Sequence, residues 1–196
     1  YQSNYGLGNT RHATDSTIST ANIGSLIESW RFTTAGDVMG QATTATVNGV
    51  DVVFFADAAG WIYSVALATG GLIWKVHAGT ITGISTSYSR NAPAFYNNRI
   101  YLGDQMSSNF FCLDARNGQR VWITQLDPNP RAIVTQSATV DNGMVFVGCS
   151  SNDGGQQVVT FRGFLSRLDA NTGAVIWKRY MAPEGYTGVG VWGSSP

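Results

Sequence analysis

One phrase recurs along the chain and leaves few folds open to it. Leu113-Asp114-Ala115-Arg116-Asn117-Gly118-Gln119-Arg120-Val121-Trp122 returns as Leu168-Asp169-Ala170-Asn171-Thr172-Gly173-Ala174-Val175-Ile176-Trp177. A looser copy is Ala66-Leu67-Ala68-Thr69-Gly70-Gly71-Leu72-Ile73-Trp74, and only the tail survives in Leu26-Ile27-Glu28-Ser29-Trp30. The tryptophans are spaced 74 − 30 = 44, 122 − 74 = 48 and 177 − 122 = 55 residues. Self-similarity at such a period marks a repeat architecture.

Within each copy, Asn-Gly or Thr-Gly separates two apolar runs rich in Val, Ile, Phe, Tyr and Trp. Glycine supplies the positive φ of a tight turn, and the flanks are strand formers. Two more short apolar runs precede each phrase, so a unit reads as four strands. That predicts an all-β chain: a β-propeller of four-stranded antiparallel blades.

The expected organisation over 1–196 is a partial propeller. Residues 1–40 form an arm and a closing strand (26–33, with Trp30), followed by blades at 41–79, 91–126 and 135–181 and the start of another at 190–196. Strands are expected at 43–48, 51–56, 61–67 and 72–77, then 92–96, 99–103, 110–114 and 120–126. The third blade takes 137–140, 144–149, 163–169 and 175–180, with a long loop at 150–160. Three blades do not close a ring of about four to eight. The expectation is a piece of a longer protein, with ring closure by several chains the other reading. Tyr1 reads as a mature or cut N-terminus.

Composition narrows the function classes. Charged residues are only 12% and the net charge is zero, so there is no basic footprint for nucleic acid. Sparse charge favours a periplasmic or extracellular protein. No apolar run approaches the ~18 residues of a membrane-spanning helix. Cys112 and Cys149 lie in expected strands of successive units, and both a disulfide and two buried free thiols stay open. His12 and His77 have no catalytic neighbours in sequence, and Asp114 and Asp169 read as turn residues.

The Asp-Ala-x-Thr/Asn-Gly-x-x-Ile/Val-Trp phrase resembles the tryptophan-docking repeat of pyrroloquinoline quinone (PQQ) propellers. Thr160-Phe161-Arg162-Gly163, Val191-Trp192-Gly193-Ser194-Ser195-Pro196 and the opening Tyr5-Gly6-Leu7-Gly8-Asn9-Thr10-Arg11 are similar to the polyvinyl-alcohol-dehydrogenase-like branch of quinoprotein alcohol dehydrogenases. The resemblance implies the N-terminal third of an eight-bladed, PQQ- and Ca²⁺-dependent oxidoreductase that takes a small or polymeric alcohol to a carbonyl. It also implies an electron-acceptor protein as a partner. By the same resemblance Arg90, Thr135, Ser150, Ser151, Asn152 and Trp192 would meet the quinone, and Asp153 would ligate calcium.

The departures are specific. Ile84-Ser85-Thr86-Ser87-Tyr88-Ser89 has no cysteine pair before Arg90, Asp153 stands where Glu is expected, and Gly40-Gln41 replaces a position that is often Glu. The family's catalytic aspartate and its asparagine calcium ligand would fall beyond Pro196, so no catalytic residue is expected in this chain and the isolated chain is expected to be inactive. A second class of function stays open: a propeller without cofactor that serves as a protein-binding scaffold. The turn-forming Asn152-Asp153-Gly154 and a core role for Trp192 are the plain alternatives to a ligand site.

Overall fold

The computed structural model describes residues 17–152 and 160–193. Three antiparallel sheets follow one another. The first blade holds β1 (Thr43–Val47), β2 (Val50–Ala56), β3 (Trp61–Ala66) and β4 (Leu72–His77), in that order across the sheet. A short helix, α1 (Ala78–Thr82), leads away from β4. The second blade holds β5 (Ala94–Tyr96), β6 (Arg99–Gly103), β7 (Asn109–Asp114) and β8 (Arg120–Gln125). The third adds a two-residue strand, β9 (Ala132–Ile133), before β10 (Thr139–Asp141), β11 (Met144–Ser151), β12 (Phe164–Asp169) and β13 (Val175–Tyr180).

Local chemistry explains these boundaries. The first hairpin of each blade turns through two residues of positive φ: Asn48-Gly49, Asn97-Asn98 and Asn142-Gly143. That is the turn whose twist matches paired strands. The third hairpin slips register at one point in every blade, beside Ser64, Cys112 and Arg167. Carboxylates shape the turns that follow. Asp114 Oδ1 accepts from Arg116 N (2.9 Å), and Asp169 Oδ1 accepts from Asn171 N and Thr172 N, both at 2.9 Å. The bond from the Arg116 guanidinium first of all holds Asp114 below the usual carboxylate range, and the Thr172 hydroxyl does the same for Asp169.

First strands of neighbouring blades touch, β1 with β5 and β5 with β10, so they line the axis and the fourth strands lie outside. The core is a series of layers between blades. Val52, Phe54 and Trp74 meet Ile100, Leu102 and Phe111 in one; Tyr101, Phe110 and Trp122 meet Val145, Val147 and Phe164 in the next. Because both faces of a blade are covered, β7 is buried almost end to end.

Three tryptophans dock on the blade that follows them. Trp74 Nε1 donates to Ala115 O (2.9 Å) with its ring on Gly118, and Trp122 Nε1 donates to Ala170 O (3.0 Å) with its ring on Gly173. Trp30 Nε1 donates to Leu67 O (2.7 Å) with its ring on Gly70. Over 26–33 no described residue pairs with the chain as a strand, and Trp30 and Phe32 rest against Val53, Phe55, Tyr63 and Val65; the partners expected for a closing strand belong to blades other than these three. The start of a further blade expected over 190–196 lies partly outside the described residues, and 190–193 pair with no strand among them. Both cysteines are free and buried. Among the described residues no helix is long and apolar enough to cross a membrane.

Candidate cofactor site

The blade repeat puts several expected site residues at one repeated position. The first strands open on Thr43, Ala94 and Thr139, paired with Phe54, Tyr101 and Phe146. Four residues earlier stand Met39 (43 − 4), Arg90 (94 − 4) and Thr135 (139 − 4). Val134, before Thr135, presses on Gly103; Val191, before Trp192, presses on Gly148. Gly103 and Gly148 hold the same place in their blades, each four residues after a residue paired with the turn aspartate (99 + 4, 144 + 4). Arg90, Thr135 and Trp192 are therefore equivalent residues of successive blade entrances, at the end of the blades opposite the docking turns.

β9 draws two of these residues together. Its Ile133 pairs with Ser150 and its Ala132 with Ser151, so Thr135, two residues beyond Ile133, lies beside the end of β11. The hydroxyls Thr135 Oγ1 and Ser150 Oγ are buried and have no hydrogen-bond partner among the described residues. Gly190 passes directly over Ser150: a Cβ there would strike Ser150 Oγ and would stand 2.5 Å from Trp192 Nε1. Ser150 and the Trp192 indole thus flank one backbone. Trp192 is 57% exposed in this chain.

Arg90 is exposed. Its loop is firmly held, with Ser89 Oγ donating to Gly103 O (2.5 Å), Gln105 N to Tyr88 O (2.9 Å) and Ser87 Oγ to the buried Asp104 Oδ2 (2.9 Å). Asn152 is exposed and tied by its N–H to Arg131 O at 2.8 Å. Asp153 lies outside the described residues. Among the described residues no three His, Cys, Asp or Glu side chains gather in a way that could hold a metal.

At one end of the blades stand two buried hydroxyls without a partner among the described residues, an exposed arginine and an exposed indole, a donor set whose chemistry suits a flat, oxygen-rich cofactor. Sequence reading missed the groups that build this end. Asp104 and the equivalent Asp57, which accepts from Ala35 N, Gly36 N, Trp61 N and Tyr63 Oη, are fully buried anchors. Asn91 and Gln136 bind across blade boundaries. Their signal was positional: each follows an expected site residue by one.

Known proteins resemble this chain over most of its length. Polyvinylalcohol dehydrogenase of Pseudomonas sp is 31% identical over 186 residues, 89% of this chain and 28% of the relative. The dehydrogenase subunit of alcohol dehydrogenase (quinone) from Gluconobacter oxydans (strain 621H) is 32% identical over 181 residues, 85% of this chain and 22% of that protein. The chain thus spans about a quarter of these relatives. A europium-containing methanol dehydrogenase shares the fold with a TM-score of 0.71 at 20% identity, covering 91% of this chain and 31% of that one. The family model described as outer membrane protein assembly factor BamB matches residues 13–189. With its three docked blades and that match over most of its length, the chain belongs to the BamB-like family of PQQ-repeat propellers.

Proposed function

We propose that this chain forms one wall of a pyrroloquinoline quinone site in a longer dehydrogenase that oxidises an alcohol to a carbonyl. The observation that carries the reading is the pair of buried hydroxyls, Thr135 Oγ1 and Ser150 Oγ, which have no partner among the described residues, with Ser150 and the exposed Trp192 indole flanking Gly190. A buried hydroxyl without a partner costs about 1–3 kcal/mol, which an oxygen-rich ligand recovers. Arg90 presents a fixed fork of donors suited to a carboxylate. Trp192 offers an apolar face to a planar ring. The quinone, when bound, supplies the two-electron acceptor that protein side chains lack.

The chain's own part is to bind, orient and keep water from the quinone's edge; the proton-abstracting base is not assigned to it. Calcium belongs to the same proposal, with Asp153 as a candidate ligand among hard oxygen donors, and no step is assigned to it. An electron-acceptor protein and a periplasmic or extracellular location complete the reading. It is supported by the names of the two dehydrogenase relatives and by the low charge content.

The test is reconstitution of the full-length protein with PQQ and Ca²⁺, followed by dye-linked oxidation of primary, secondary and polymeric alcohols. Turnover of one class supports the reading; no turnover and no quinone binding count against it. The second reading is a scaffold, favoured by the assembly-factor description of the family. It predicts that Arg90→Ala and Trp192→Ala disturb a protein contact and leave no quinone binding to lose.

A further inference from the structure

The segment 188–193 carries Trp192 and is pinned at both ends. Gly188 N donates to Phe161 O (2.7 Å) and Gly163 N donates to Gly188 O (3.1 Å). At the other end Gln136 Nε2 donates to Gly193 O at 2.6 Å. Between them Val189 sits at φ 56. A β-branched residue holds that left-handed conformation only under constraint.

Gln136 is fully buried, and its Oε1 accepts the Gly148 N–H. The same device stands one blade earlier. Asn91 Oδ1 accepts from Gly103 N (3.4 Å) and Asn91 Nδ2 donates to Val134 O (3.3 Å). Each amide lies three residues before the opening of its first strand (94 − 3 and 139 − 3). Each takes an N–H from its own blade and gives one to the next entrance. In the first blade the equivalent residue is Gly40, where a Cβ would lie 2.7 Å from Asn91 O, so there the backbones close directly.

The two clasps differ in reach. Asn91 binds the carbonyl of Val134, the valine that presses on Gly103. Gln136, longer by one methylene, passes the equivalent Val191 and binds two residues further on, at Gly193. Trp192 is thereby held between a packed valine and a tethered carbonyl. We propose that Gln136 is a positioning residue that sets where the Trp192 ring stands relative to Ser150, and so how well the site grips a planar quinone. This rests on the quinone reading of the site.

The experiment uses the full-length protein with Gln136→Met, which keeps volume and loses both bonds, and Gln136→Asn, which keeps the amide and loses the reach. Hydrogen exchange reads segment 188–193 without cofactor; quenching of tryptophan emission by added PQQ reads affinity. Exchange at 188–193 should rise at least tenfold in both variants while the Trp122-Gly173 contact stays protected, and PQQ should bind at least tenfold more weakly. Unchanged exchange overturns the proposal, as does faster exchange spread evenly over all three blades, or a loosened segment with unaltered affinity. If Gln136→Met does not fold, Gln136→Asn decides alone. Wild-type protein that binds no PQQ refutes the quinone reading, while the exchange result still judges the clasp.

Discussion

Trp122 lies so close over Gly173 that a methyl group on that glycine would stand 2.5 Å from Trp122 Cε3. Gly173 also turns at φ +73, whereas Gly143, at φ +74, has open space around it. The two positions separate backbone strain from loss of docking. Gly143→Ala is expected to cost about 1–2 kcal/mol, the left-handed penalty alone. Gly173→Ala should cost roughly 1–3 kcal/mol more, because the indole is displaced as well. Urea unfolding of both variants measures the difference.

Tryptophans of different burial should behave differently. Trp122 is 8% exposed and Trp192 57%. Trp122→Ala is expected to lose about 3–5 kcal/mol of stability. Trp192→Ala should stay within about 0.5 kcal/mol of wild type yet bind PQQ at least tenfold more weakly. Thermal unfolding alongside quinone titration checks both halves.

Both thiols should be silent in the native protein. Burial pushes Cys112 and Cys149 up to about 12. Neither is expected to react with a thiol reagent at pH 8 until the chain is unfolded. The sign of the linkage follows: with folded values raised, the stabilisation is complete below the unfolded value near 9 and is lost as pH climbs from there towards 12. Unfolding midpoints should fall over that window, and less steeply in a Cys112→Ala/Cys149→Ala protein.

Acid should act through the docking turns. Asp114 and Asp169 are both held below 3.8 in the folded state. Their contribution is present above that value and disappears as pH falls below it. A double Asp114→Asn/Asp169→Asn variant should show a flatter dependence of the urea midpoint between pH 2 and pH 5 than wild type.

Residue by residue, the strands were legible where turns and alternation were local. Asn142-Gly143 announced its hairpin, and β4, β6 and β13 begin and end where expected. Trp30 was read as part of the repeat, and it docks as the repeat requires. Its docking depends on its own ring, whereas a strand needs a partner's backbone. β9 is two residues long and too short to show a period, although it brings Thr135 beside Ser150. The placement of Arg90, Thr135 and Trp192 at one repeated position was not visible in three unlike residues. Gln136 and Asn91 escaped notice because their partners lie 57 and 43 residues away.

All three docked indoles reach the same way: Trp30 to the first blade, Trp74 to the second, Trp122 to the third. The array therefore has a direction, like a row of tiles each lapped over the next. Loss of a blade's third turn strips the tryptophan of the blade before it, while its own tryptophan keeps a seat on the blade after. Damage should run backwards along the chain, against the order in which it is made. A blade emerging from the ribosome thus waits for its successor before its outer edge is sealed.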